Sequence, residues 1–196
     1  MNINDVEETE EIPEDIQAAI FQRQYSKMEK YHEIEKKNGL LQTEDCPVNL
    51  DDRFGQARLK DFAWRMTEEF TEATECMHTD NTHFIEELVD GLHFLVELMI
   101  LAGFYPTGDM KPRSVMTSIT VYHVIEPVGK AMNCLKNKPW KQTHMATDKE
   151  KFYGYLQEAW SNMIFLFEAW AIKPPKLYQL YYRKSEVNKF RQRSNY

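Results

Sequence analysis

Apolar residues recur at three- and four-residue intervals along most of this chain, and period-two alternation is scarce, so the elements it predicts are helices. Pro13 suits a first helical position, and Glu14 and Asp15 beside it favour the positive end of a helix dipole. That helix runs to about Lys37, where Asn38 and Gly39 stop it. Leu40 to Arg53 is polar, holds Pro47 and reads as loop. A second helix, from about Arg58 to Met77, carries Phe62, Met66 and Phe70 on one face. A third, capped by Asp80 or Thr82, carries Leu88, Leu92, Leu95, Val96 and Met99 and ends at Ala102 and Gly103. Pro106, Gly108 and Pro112 then break the pattern. Residues 114–135 are β-branched in SVMTSITVYHVI, but no partner strand is evident, so a helix interrupted at Pro127 and Gly129 is expected. After a loop at Lys138, Pro139 and Trp140, a long helix covers about Asp148 to Ala171. Pro174 and Pro175 introduce the last, from Lys176 to about Arg193. The expected class is all-α.

Composition narrows the setting. With 196 residues, 42% hydrophobic and 28% charged, the chain is long enough to bury a proper core in a single domain. It has no apolar run of about eighteen residues that would span a membrane, and its acidic start is unlike a signal peptide. Cys46, Cys76 and Cys134 are irregularly spaced with no C-x-x-C, which reads as reduced thiols in a cytoplasmic protein. A net charge of −7 argues against a nucleic-acid polymer, whose binding rests on neutralising many phosphates. The charge is unevenly spread. Residues 1–15 read as an acidic tail, whereas Lys176, Arg183, Lys184, Lys189, Arg191 and Arg193 make the other end basic. Residues 16–196 are then the domain, with about 104–147 as an inserted segment.

The chemistry sits in two carboxylate pairs, Glu69 with Glu72 and Glu87 with Asp90, each spaced i, i+3 on one helix face. One such pair alone is more often a solvated surface, since charged residues are mostly exposed. Two pairs on adjacent amphipathic helices joined by a short turn would gather four carboxylates. Four anions repel unless a cation holds them, and oxygen ligands suit a hard divalent ion such as magnesium. At the C-terminus, Lys184, Asn188 and Arg191 fall at i, i+4, i+7 with Tyr181 one turn earlier. That stripe of donors suits a polyanion, because guanidinium forks pair with phosphate oxygens. A solvated amphipathic terminal helix is the bland alternative.

Taken with their neighbours, these pieces resemble the all-α dimeric dUTPases, including phage dCTPase–dUTPases, within the MazG-like nucleotide pyrophosphohydrolases. The matching pieces are Glu69-x-x-Glu72, Glu87-x-x-Asp90-x-x-His93-Phe94, and an ending that runs Leu177, Tyr178, Tyr181, Lys184, Asn188, Arg191, Gln192, Tyr196. The resemblance implies a MazG-like helical bundle with an inserted helical segment between the metal-binding helices and the C-terminal helices. It implies magnesium at Glu69, Glu72, Glu87 and Asp90, with Glu69 or Glu72 as the base and Glu68 helping to orient water. It places Lys184, Asn188, Arg191 and Tyr196 on the phosphates, Phe94 against the sugar, His93 on a ligand or the sugar, and Gln22 on the base. The implied reaction is hydrolysis of dUTP to dUMP and pyrophosphate by a cytoplasmic homodimer, in the host cytoplasm if the chain is phage-encoded. A broader pyrimidine enzyme acting on dCTP as well is the alternative. Tyr25 stands where the family often has Asn, and no Trp-rich stretch separates the carboxylate pairs.

Two other classes use similar parts. Ferritin-like di-iron proteins use two Glu-x-x-His motifs, but within the two carboxylate pairs this chain offers only Asp90-x-x-His93, and di-iron chemistry gives no reason for the basic C-terminal stripe. A non-enzymatic helical interaction protein would use the Met- and aromatic-rich segments as grooves and would show no metal dependence. The abundance of large apolar residues in the third and long fifth helices also predicts a homodimer, and an unpaired cationic stripe predicts a C-terminal helix that orders on binding nucleotide.

Overall fold

The computed structural model describes residues 3–9, 11–108, 110 and 119–194, and every regular element among them is helical. After a short 3₁₀ turn at Ile3–Asp5 come α1 (Ile16–Lys37), α2 (Arg53–Cys76), α3 (Asn81–Leu101), α4 (Tyr122–Cys134), α5 (Lys149–Ala169) and α6 (Pro174–Arg193). Side-chain caps set most of the starts. Asp15, Asp52, Asp80 and Asp148 each accept a backbone N–H of the first turn, satisfying donors that have no partner inside the helix. The Asp52 cap starts α2 five residues before the apolar pattern does. Pro174 opens α6, where a missing N–H costs nothing. The β-branched stretch lies partly in residues 111–118, outside the described ones; its C-terminal part opens α4, which keeps Pro127 inside it.

α2 and α3 form a tight antiparallel hairpin, α4 packs along α5, and α1 and α6 cover α3. One core runs through all of them, from Ile20 and Met28 on α1 through Phe62, Met66 and Phe70 on α2 and Leu88, Leu92 and Leu95 on α3 to Phe152, Leu156 and Phe167 on α5. Gly91 sets the closeness of the α2–α3 hairpin: a Cβ there would run into the buried Phe70 ring. Because Glu69 and Asp90 flank these two residues in sequence, the same contact brings Glu69 to the Glu87–Asp90 pair. The acidic N-terminal stretch is held against α6. Ile3 is buried, Gln179 exchanges hydrogen bonds with the Thr9 backbone at 3.0 and 2.7 Å, and Lys176 pairs with Glu8 at 2.8 Å.

The apolar residues of α3 and α5 that the sequence offered as a surplus are already buried within one chain. No helix among the described residues is long and apolar enough to cross a membrane.

Candidate active site

α1, α2, α3 and α6 enclose a cavity of about 240 Å³. One end is acidic. Glu69 from α2 and Glu87 and Asp90 from α3 offer carboxylate oxygens within 4.8 Å of one another. Burial pushes the Glu69 carboxyl up to about 8, with the charge of Asp90, a hydrogen bond to Glu87 and the charge of Glu72 acting in the same direction. Burial and Asp90 raise Glu87 as well. Burial likewise raises Asp90, although Lys184 opposes it with an ion pair of 2.6 Å from Nζ to Oδ2. The cluster is therefore short of positive charge, and an all-oxygen donor set of this kind fits a hard divalent cation. Glu72 stays exposed one turn beyond Glu69, and Glu68 is exposed and accepts the Trp64 indole N–H at 2.9 Å.

Asn188 and Arg191 line the same cavity from α6, as the i, i+4, i+7 spacing predicts. Lys184 does not stand on an open phosphate stripe with them. It is buried, and its ammonium is committed to Asp90. The expectation of an unpaired cationic stripe fails at this residue, since its helix face turns inward rather than to solvent. Tyr196 lies outside the described residues.

His93 and Phe94 follow Asp90 into the cavity wall. His93 is fully enclosed, and burial holds it well below its ordinary value, hence neutral. Its Nδ1 lies 2.8 Å from the Val89 carbonyl, its Nε2 finds no protein partner, and its ring stacks on Tyr181 at 3.9 Å. The Phe94 ring stands 6.3 Å from that of Phe62 across the cavity.

The far end of the cavity holds residues that the motifs did not reach. Gln24 and Lys27 come from α1, Arg65 from α2 and Glu97 from α3. Gln24 donates to Glu97 Oε2 at 2.6 Å and accepts the Tyr181 hydroxyl at 2.7 Å. Arg65 is held by Glu35 at 3.0 Å and Asp61 at 2.7 Å, with its guanidinium 4.7 Å from the Phe62 ring centre. Burial brings Lys27 down to about 7. Gln22, by contrast, is exposed and does not line the cavity. The signal for Gln24 was present in the sequence: Gln17, Ile20, Phe21, Gln24, Lys27 and Met28 follow one helical stripe, and Gln22 falls off it.

A shallower groove of about 780 Å³ beside Tyr105 and Pro174 contains Glu14 and Asp15 but neither the acidic cluster nor the donors of α6.

The family model described as dUTPase matches residues 73–196, more than half of the chain. Glu87, Asp90, His93, Phe94 and the whole of α6 lie inside the matched segment; Glu69 lies just before it and joins the site through the α2–α3 hairpin. No curated protein and no solved structure matches significantly.

Proposed function

The chain belongs to the dUTPase family, and on that premise we propose that it hydrolyses dUTP to dUMP and pyrophosphate with magnesium as its metal. The observation that carries this reading is the carboxylate trio within 4.8 Å at one end of a cavity whose rim carries Asn188 and Arg191. Glu69, Glu87 and Asp90 would hold the ion, with Glu72 reaching in from the exposed side. When bound, the metal neutralises the triphosphate and lowers the pKa of water.

The remaining work belongs to the chain. Lys184, 2.6 Å from Asp90, opposes the burial that raises this carboxyl. Arg191 and Asn188 hold the phosphate chain in line, and such positioning is most of what phosphoryl-transfer chemistry asks of a protein. Water attacks the β-phosphorus. The bond from that phosphorus to the α–β bridging oxygen breaks, the bridging oxygen leaves with dUMP, and Glu69 or Glu72 accepts the proton. Phe94 packs on the sugar and disfavours a ribose 2′-hydroxyl. Gln24, two residues on from the expected Gln22, supplies the polar contact at the base end of the cavity.

The test is pyrophosphate release from deoxynucleoside triphosphates with and without magnesium. Turnover of dUTP that depends on the metal is expected, and Asp90→Asn should lower it roughly hundredfold or more, as loss of a main electrostatic stabiliser does. Metal-independent turnover, or a fully active variant, would remove this assignment.

A further inference from the structure

We infer that His83 sets which divalent ion the carboxylate trio takes: by holding Glu87 Oε1 it leaves that carboxylate one oxygen for a metal, a restraint that suits magnesium and disfavours calcium. This role rests on the metal reading of the trio given above and adds a residue that is not itself a carboxylate.

His83 lies in the first turn of α3, four residues before Glu87 and therefore on the same helix face. Its place in that turn is fixed by the cap, since Asp80 accepts the His83 backbone N–H at 3.0 Å. Side chains on a helix lean toward its N-terminus, which carries the Glu87 carboxylate back over His83. Nδ1 of His83 lies 3.1 Å from Glu87 Oε1. A fully exposed pair at this spacing would count for little. Here only the imidazole is half in solvent, whereas Glu87 is 6% exposed. A buried carboxylate oxygen needs a donor, and His83 supplies one. Glu87 also hydrogen-bonds Glu69 across the α2–α3 hairpin, so it is gripped from its own helix and from the next. It cannot rotate without giving up one of these contacts.

The two common hard cations ask different things of such a carboxylate. Calcium gathers about six to eight oxygens at roughly 2.3–2.6 Å and often takes both oxygens of one carboxylate. Magnesium holds an octahedron at about 2.1 Å, keeps several waters, and is content with single oxygens from one or two carboxylates. Presenting both Glu87 oxygens to an ion breaks the contact with His83. That loss falls on calcium and spares magnesium. Outer partners that orient a ligand are typically worth about 10- to 100-fold in metal affinity.

The test is calorimetric titration of the nucleotide-free protein with magnesium and with calcium at one pH. Wild type is compared with His83→Ala and His83→Asn, and circular dichroism in chelator checks that each variant is folded. The asparagine side chain places an N–H close to where Nδ1 stands, so it keeps the hold on Glu87; alanine releases it. Calcium affinity relative to magnesium should rise roughly tenfold in His83→Ala and stay near the wild-type ratio in His83→Asn. An unchanged ratio in His83→Ala, or the same rise in both variants, would overturn the inference. If Asp90→Asn weakens magnesium binding while His83→Ala leaves the ratio alone, the metal site stands and His83 does not tune it. Binding of neither ion to the wild-type protein would end the metal reading, and this inference with it.

Discussion

At the scale of single residues, the site is a set of charges held where they are least comfortable. Glu69 is the clearest case: burial and three neighbouring carboxylates lift it from 4.5 to about 8. As pH rises through that window the unfolded chain ionises this carboxyl freely while the folded chain resists, so the contribution of Glu69 to stability is lost. Buried histidines such as His93 drift the other way over part of the same range, so the effect must be read against a variant. Relative to Glu69→Gln, which cannot ionise, the metal-free protein should lose thermal stability from pH 4.5 to about 8. Added magnesium should restore it most at the upper end. Melting curves in chelator and in metal check this, and parallel pH courses for the two proteins would show that Glu69 is not the strained group. Lys184 shows why residue roles were only partly legible in the sequence. Its spacing put it on one helix with Asn188 and Arg191, but spacing cannot say that a carboxylate across the interface would claim it first. Glu97 was hidden for a related reason: in LVELMIL a lone glutamate looks like an interruption of the core, and it becomes a site residue only when α1 brings Gln24 against it.

At the scale of elements, periodicity and capping placed the helices well because both are local. The structure starts α3 after Asp80 and α5 after Asp148, at the residues whose side chains can take the first free N–H groups. The assembly of the site is not local. It depends on α2 and α3 approaching closely enough for Glu69 to meet Asp90, and that approach runs through Gly91 against Phe70. Alanine at position 91 should improve helix propensity by about 1 kcal/mol, yet overpacking a buried ring typically costs about 1–3 kcal/mol. The second effect wins, since Phe70 is fully buried and has nowhere to move. Gly91→Ala is therefore expected to lower stability in urea denaturation and to weaken metal binding by spreading the carboxylates. Unchanged stability together with unchanged metal affinity would mean the hairpin tolerates the extra methyl and Gly91 sets nothing.

For the whole molecule, the division of labour is between a site-bearing set, α1, α2, α3 and α6, and the α4–α5 pair that closes the core behind it. The N-terminal stretch packs on α6 at Gln179 and Lys176, so the helix that carries Asn188 and Arg191 is braced from the side away from the cavity. The expectation of a homodimer loses its original physical motive, because the apolar residues of α3 and α5 are satisfied within one chain. What remains exposed is different. Trp64 on α2 is 63% exposed and lines a groove of about 220 Å³ with Ile125, Val128 and Met132 of α4. Exposed tryptophan beside an apolar groove is the composition that anchors protein interfaces. A second copy seated there would bury what the fold leaves open, without touching the mouth of the cavity, to which Trp64 does not contribute. Light scattering at micromolar concentration should then give twice 23.3 kDa, and Trp64→Arg should shift the mass toward a single chain. A wild-type mass near 23.3 kDa would end the expectation of a dimer. A variant that stays dimeric would keep the dimer and move its interface away from the α2–α4 groove.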